Sequence, residues 1–212
     1  MPEPVRRPYT PRMSPRDRRR QLLDAALRII IRDGYGAVSI ETIAREVDVS
    51  RPVIYGAFDG LGDLLGALLD RQERRALAQL AAAAPAPPGD QDPGQFIVGI
   101  VRSMVEVVAR DPDTWIPILL PPDRTPKVVR ERIDRDRERV RRQFEALLAW
   151  ALERRGGAAG VDMELASHSI LVVVEHWGRL VLRDPERFSA ERLAGFVERL
   201  VGGISGLDRP AG

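Results

Sequence analysis

Side chains suited to bonding nucleic acid gather in two short neighbouring segments of this chain. Ser39 and Thr42 open the first, and Ser50, Arg51, Pro52, Val53, Tyr55 and Gly56 form the second. An arginine can read a guanine edge, and hydroxyls can bond phosphate oxygens. Residues 39–47 and 50–57 predict two short helices joined by a tight turn, the layout of a helix-turn-helix. In that layout the second helix enters the major groove and offers its amino-terminal side chains to base edges. Ile40, Ile43, Ala44, Val49, Ile54 and Phe58 are expected inside, leaving Arg51, Val53, Tyr55 and Gly56 outside. By spacing alone, a purely structural helical hairpin fits equally well.

A second cluster could hold a small molecule. Phe96, Ile100, Met104, Trp115, Phe144, Leu148 and Trp177, with His168 and Glu175 as polar fixers, are candidates for an apolar or aromatic effector cavity. Such cavities are largely apolar with a few polar groups, although ordinary core packing accounts for the same residues. Glu164, His168 and Glu175 would share one helix face, a conceivable set around a metal. Hydrogen-bonded groups in a pocket wall or subunit seam explain them better, since no second helix offers another His. The chain has no Cys and only 2 His, which excludes a thiol nucleophile and leaves zinc chemistry poorly supported. Neither a phosphate loop nor a credible Ser-His-Asp arrangement occurs, so no enzyme activity, cofactor or metal is expected.

Charge position sharpens the nucleic-acid reading. Among the 33 basic residues only Lys127 is a lysine, and the net charge is +2. A pI near 9.5 therefore reflects arginine use, because almost nothing titrates between neutrality and strong base. Up to Asp59, eleven Arg face eight acids, and the densest positive stretch holds Arg6, Arg7, Arg12, Arg16, Arg18, Arg19 and Arg20. Such an arm can track phosphates. No apolar run approaches the ~20 residues of a membrane span, and no export signal follows the basic start, so a cytoplasmic protein is expected.

The elements that must position these residues are helical throughout. Ser14-Pro15-Arg16-Asp17 predicts a capped helix start, and Gly34 its stop. A long helix follows over 61–84 and ends in the Pro-rich run 85–90. Asp92-Pro93 opens another, closed by Asp111-Pro112. Thr125-Pro126 opens a long charged helix whose first half should be solvated and second half packed. The last two, over 162–182 and 189–205, are apolar on more than one side and so need partners on opposite faces.

The string Ser39-Ile40-Glu41-Thr42-Ile43-Ala44-Arg45-Glu46-Val47-Asp48-Val49-Ser50-Arg51, with Ile54-Tyr55 and Phe58, resembles the DNA-binding domain of TetR family transcriptional regulators. Arg20 to Ala26 and Gly34-Tyr35 resemble that family's first helix and its end, and Leu64-Leu65 its fourth helix. The resemblance covers about residues 16–77. It implies an all-α homodimer that binds a palindromic double-stranded DNA operator, usually as a repressor. Thr42 and Tyr55 match phosphate contacts, and Arg51, Pro52, Val53 and Gly56 match positions that vary with operator. The turn carries Val47-Asp48 where the family has a small residue and Gly; Asp tolerates a left-handed backbone better than most residues. Ala57 and Leu61 stand where phosphate-contacting residues are common. The expected organisation is a basic arm over 1–14, the helix-turn-helix domain over 15–60, and a helical effector-binding and dimerisation domain over 61–208. Dimerisation would use the two carboxyl-terminal helices. A helical dimeric small-molecule or protein-binding module without specific DNA recognition is the alternative.

Overall fold

The computed structural model describes residues 13–83, 92–119, 127–154, 156 and 160–207. Residues 1–12 of the arm and the Pro-rich segments at 85–90 and 121–126 lie outside them. Among the described residues every regular element is helical, and the chain divides into two compact units between Leu68 and Leu69.

In the first unit, α1 (Pro15–Asp33) starts where Ser14 accepts the Asp17 backbone N–H at 3.1 Å, with Pro15 in the first turn. Its end is Gly34 at φ 81°, whose N–H bonds the Ile30 carbonyl. This left-handed backbone turns the chain into a short 3-10 turn, Tyr35–Ala37, which the apolar periodicity does not indicate. Next come α2 (Ile40–Glu46) and α3 (Arg51–Tyr55), both shorter than the spacing predicts. Leu22, Ala25, Ala26, Ile29 and Ile30 of α1 form the core with Ile43, Ile54 and Phe58. The first part of α4 (Leu61–Ala83) adds Leu64, Leu65 and Leu68, at most 1% exposed. That burial explains why the division falls within α4 and not at its start. Burial of the Tyr35 ring pushes its phenol above the ordinary value.

The second unit holds the rest of α4 with α5 (Pro93–Arg110), α6 (Pro112–Leu119), α7 (Lys127–Glu153), α8 (Met163–Arg183) and α9 (Ala190–Leu207). Asp92 and Asp162 cap α5 and α8 by accepting the N–H groups of Gln95 and Leu165. Helix α5 packs on α9 and α8, α7 on α8, and α6 on α8 and α5. Val98, Val101, Val105, Val108, Trp115, Val181, Leu193, Ala194 and Val197 are central to this core. Gly178 admits α6 closely, because a Cβ there would stand 2.7 Å from Leu119 Cδ1.

Two expectations change here. Asp111-Pro112 ends α5 but also opens α6, a full helix with Pro117 inside it. Proline has no N–H to give the Asp113 carbonyl one turn back. That carbonyl instead accepts Gln72 Nε2 of α4 at 2.8 Å. The charged first half of α7, expected in solvent, is partly engaged: Arg132, one quarter exposed, pairs with Asp70 and with Glu73 at 2.8 Å, both on α4. Arg141 is buried against Ser167, Glu138 and Glu145.

Candidate nucleic-acid interface

The α2 and α3 pair owes its form to two devices. Ser39 and Thr42 make a reciprocal capping box, in which Ser39 Oγ accepts the Thr42 N–H at 3.0 Å and Thr42 Oγ1 accepts the Ser39 N–H at 2.8 Å. Between the helices, Asp48 takes φ 51°, the one positive φ outside glycine among the described residues. The expected left-handed turn is therefore made by an aspartate. It lets the Val49 N–H return to the Ala44 carbonyl at 2.9 Å.

Burial then sorts the faces. Ile40, Ile43, Ala44, Ile54 and Phe58 are inside, with Val49 half-buried. Arg51, Pro52, Val53, Tyr55 and Gly56 are exposed, Tyr55 at 57%. Ser50 has the extended backbone of a cap residue, but its hydroxyl makes no cap bond. Being exposed, that hydroxyl is accessible to a ligand oxygen. Thr42 differs, since its hydroxyl donates to the Ala37 carbonyl at 2.9 Å. A phosphate bond from Thr42 would have to displace that one.

Several neighbours of this motif were not foreseen. Glu41, in the first turn of α2, pairs with Arg51 at 3.1 Å. Its carboxyl lies below the usual range, chiefly through its own backbone N–H and then through the Arg51 charge. Arg19, one of the arginines expected to track phosphates, bonds the Ala57 carbonyl and lies 4.0 Å over the Phe58 ring. It thus holds the chain where it leaves α3. Arg28 and Arg32 of α1 meet Glu46 and tie α1 to the end of α2; both, Arg28 foremost, hold the Glu46 carboxyl low. None of these contacts has a local sequence signature. The partners stand ten to thirty-nine positions apart, so only the fold brings them together. Nearer in sequence, Asp63 accepts the Asp59 N–H at 3.1 Å, so carboxylates flank Leu61 at the start of α4.

The effector candidates are less unified. Phe96 and Trp115 are buried, and Trp115 Nε1 donates to Gln79 at 3.0 Å. Ile100, Met104, Phe144 and Leu148 are half-buried on α5 and α7, and Phe96 meets Trp150 edge to face at 5.4 Å between those helices. Trp177 meets Phe196 of α9 at 5.9 Å, whereas His168, two turns and more away on α8, is exposed. Glu175 is taken by Arg137 in two bonds of 2.7 Å. No three His, Asp or Glu side chains among the described residues gather to hold a metal, so Glu164, His168 and Glu175 are not brought together as ligands. Among the described residues, a surface cleft of about 730 Å³ runs along the charged face of α7 and another of about 380 Å³ lies between the end of α5 and the start of α9. None of the nine candidates lines either cleft.

An all-helical chain whose amino-terminal unit is a helix-turn-helix with a polar outer face falls in the class of helix-turn-helix transcriptional regulators. Residues 22–68 match the model of the bacterial regulatory proteins of the tetR family, so the first unit is similar to the DNA-binding domain of that family. Over 187 residues, 87% of this chain and 75% of the relative, it is 28% identical to an uncharacterized HTH-type transcriptional regulator of Mycobacterium tuberculosis. Over 56 residues, 26% of this chain and 29% of the relative, it is 43% identical to the HTH-type nicotine-responsive transcriptional repressor HdnoR of Paenarthrobacter nicotinovorans. A transcriptional regulator from Pseudomonas aeruginosa PAO1 shares the fold with a TM-score of 0.70 at 21% identity, covering 92% of this chain and 93% of that one. So does FadR of Bacillus subtilis, solved in complex with stearoyl-CoA, with a TM-score of 0.64 at 17% identity, covering 85% and 96%. No helix among the described residues is long and apolar enough to cross a membrane.

Proposed function

We propose that this regulator is a homodimeric repressor that leaves a palindromic operator when a small apolar or aromatic molecule binds its second unit. The observation that carries the DNA-binding half is the sorting of α3: Ile54 fully buried, with Arg51, Val53 and Tyr55 exposed on a helix fixed by the Asp48 turn. Arg51 and Val53 are the base-reading residues, while Ser50 and Tyr55 bond phosphates. Ser39 and Thr42 act chiefly by holding α2. Gly56 keeps the surface low where the backbone approaches the duplex.

The effector half rests on the apolar surface of the second unit. Ile100, Met104, Phe144 and Leu148 present half-buried side chains beside the Phe96–Trp150 contact, which suits an apolar effector. The small molecules named with HdnoR and FadR, nicotine and stearoyl-CoA, are consistent with that class. Helix α4 is the natural transmitter. It begins in the core of the first unit, and in the second it is held by Gln72 to α6 and by Asp70 and Glu73 to α7. An effector that displaces α6 or α7 moves α4, provided it binds the two states with different affinity. For dimerisation, Leu165, Val172 and Val173 of α8, with Phe196 and Leu200 of α9, expose 42–65% of their surface. Apolar surface of that kind is covered in a stable assembly.

Selection from a random duplex pool tests the reading. A palindromic consensus with half-sites about one helical turn apart is expected. Failure of any sequence to enrich would leave a helical binding module as the better account, a reading that Ala57, Leu61 and the nearby Asp59 and Asp63 favour.

A further inference from the structure

The ion pair between Arg51 and Glu41 lies across the two residues that open the paired helices of the first unit. Glu41 is in the first turn of α2, and Arg51 is the first residue of α3. The pair therefore joins the tips of two side chains from the two halves of the motif. Both remain exposed, at 48% and 63%, so a partner can still reach them. A contact of 3.1 Å from Arg51 Nη1 to Glu41 Oε1 uses only part of each group's capacity. A guanidinium has five N–H donors, and a carboxylate has about four lone-pair sites. What remains is a row of donors beside an acceptor.

The major groove edge of a G·C pair is the complement of that row. Guanine N7 and O6 accept, and cytosine N4 donates. An A·T pair offers an acceptor, a donor and an acceptor, so it opposes both side chains at once: the adenine amino group faces the guanidinium, and thymine O4 faces the carboxylate. From this match, the geometry points to Glu41 as a specificity-determining residue that aligns Arg51 on a guanine and accepts from the paired cytosine, one G·C pair per half-site. The inference rests on the DNA-binding function proposed for α3 and adds a residue that the recognition helix does not contain. Two features of Glu41 make it fit for the task. Its own backbone N–H and the Arg51 charge keep the carboxylate ionised, and the Ser39–Thr42 cap holds the helix turn that carries it.

A simpler role would be repulsion, since a carboxylate near phosphates weakens binding to every sequence alike. The two roles separate experimentally. The full-length protein, Glu41→Gln and Arg51→Ala are each put through selection from a random duplex pool. Binding is then compared between the selected duplex and one with a single G·C to A·T change in both half-sites. Thermal unfolding of the free variants checks that the exposed substitutions leave the fold intact. The wild type should show one strongly preferred G·C column per half-site. Glu41→Gln should keep the rest of the consensus but lose about tenfold of its preference at that column, and Arg51→Ala should broaden the same column. An unchanged consensus in Glu41→Gln, with affinity raised for all duplexes, overturns the inference, as does broadening of different columns in the two variants. If the wild type enriches nothing, the DNA-binding function itself falls, an outcome distinct from either of these.

Discussion

Thr42 and Ser50 carry similar hydroxyls but different duties. The Thr42 hydroxyl is spent on the Ala37 carbonyl and the Ser39 N–H, whereas the Ser50 hydroxyl makes no cap bond. Thr42→Ala should therefore cost about 1 kcal/mol of stability, the usual loss for a broken cap, and leave the affinity of the folded protein for DNA nearly unchanged. Ser50→Ala should do the reverse, leaving urea unfolding within about 0.5 kcal/mol and weakening binding to all duplexes alike. Exchange of these two outcomes would reassign the phosphate contact to Thr42. Glu138 gives a pH test. Hydrogen bonds from Arg141 and then Arg142 lower its carboxyl from 4.5 to about 2. A depressed folded pKa contributes stability that is complete above pH ~4.5 and is lost as pH falls toward 2. Glu138→Gln should flatten the unfolding free energy over that window and nowhere else. What the sequence disclosed at this scale was local: the Ser14 cap, the Gly34 stop and the Asp48 turn follow from neighbouring residue types. Glu41, Arg19 and Arg132 act on residues distant in sequence, and an exposed charge on a helix looks the same with or without such a partner.

Among elements, α4 is where the two units meet in sequence, and its grip by α6 is unusual. Pro117 frees the Asp113 carbonyl, and Gln72, fully buried, answers it with Nε2 while its Oε1 finds no partner among the described residues. The pair makes a sharp prediction. Gln72→Leu in the native background orphans the Asp113 carbonyl. In Pro117→Ala the restored N–H can take that carbonyl, so the same substitution should cost about 1 to 3 kcal/mol less. Urea unfolding of the four proteins measures this coupling, and additive effects would contradict it. Apart from α6, helix existence and rough extent were legible from apolar spacing and Pro and Gly punctuation. The lengths of α2 and α3 were overestimated because Gly56 and the Asp48 turn end regular hydrogen bonding sooner than side-chain pattern reveals. The status of α6 was missed because Asp111-Pro112 reads equally as a stop and a start. For α7, alternating charges suggested solvent, yet arginines with long apolar stems can reach across to a neighbouring helix.

In the proposed function the whole molecule is a reader joined to a helical second unit, and two copies would match a palindrome. The apolar stripe of α8 places Leu165 and Val172 seven residues apart on one face, 65% and 57% exposed. Leu165→Glu with Val172→Glu should shift the protein to monomer in sedimentation at micromolar concentration. Operator affinity should drop steeply, with thermal unfolding retained because neither side chain serves the core. A dimer that survives both changes would move the interface elsewhere. The central claim, that α3 reads the major groove, is tested most directly by dimethyl sulfate protection of guanine N7 on a selected operator. With the wild type, guanines in the two half-sites should be protected about 10 base pairs apart, and Arg51→Ala should lose protection at those guanines while phosphate contacts persist. Tight binding with no major-groove protection, or protection that is unchanged in Arg51→Ala, would contradict it.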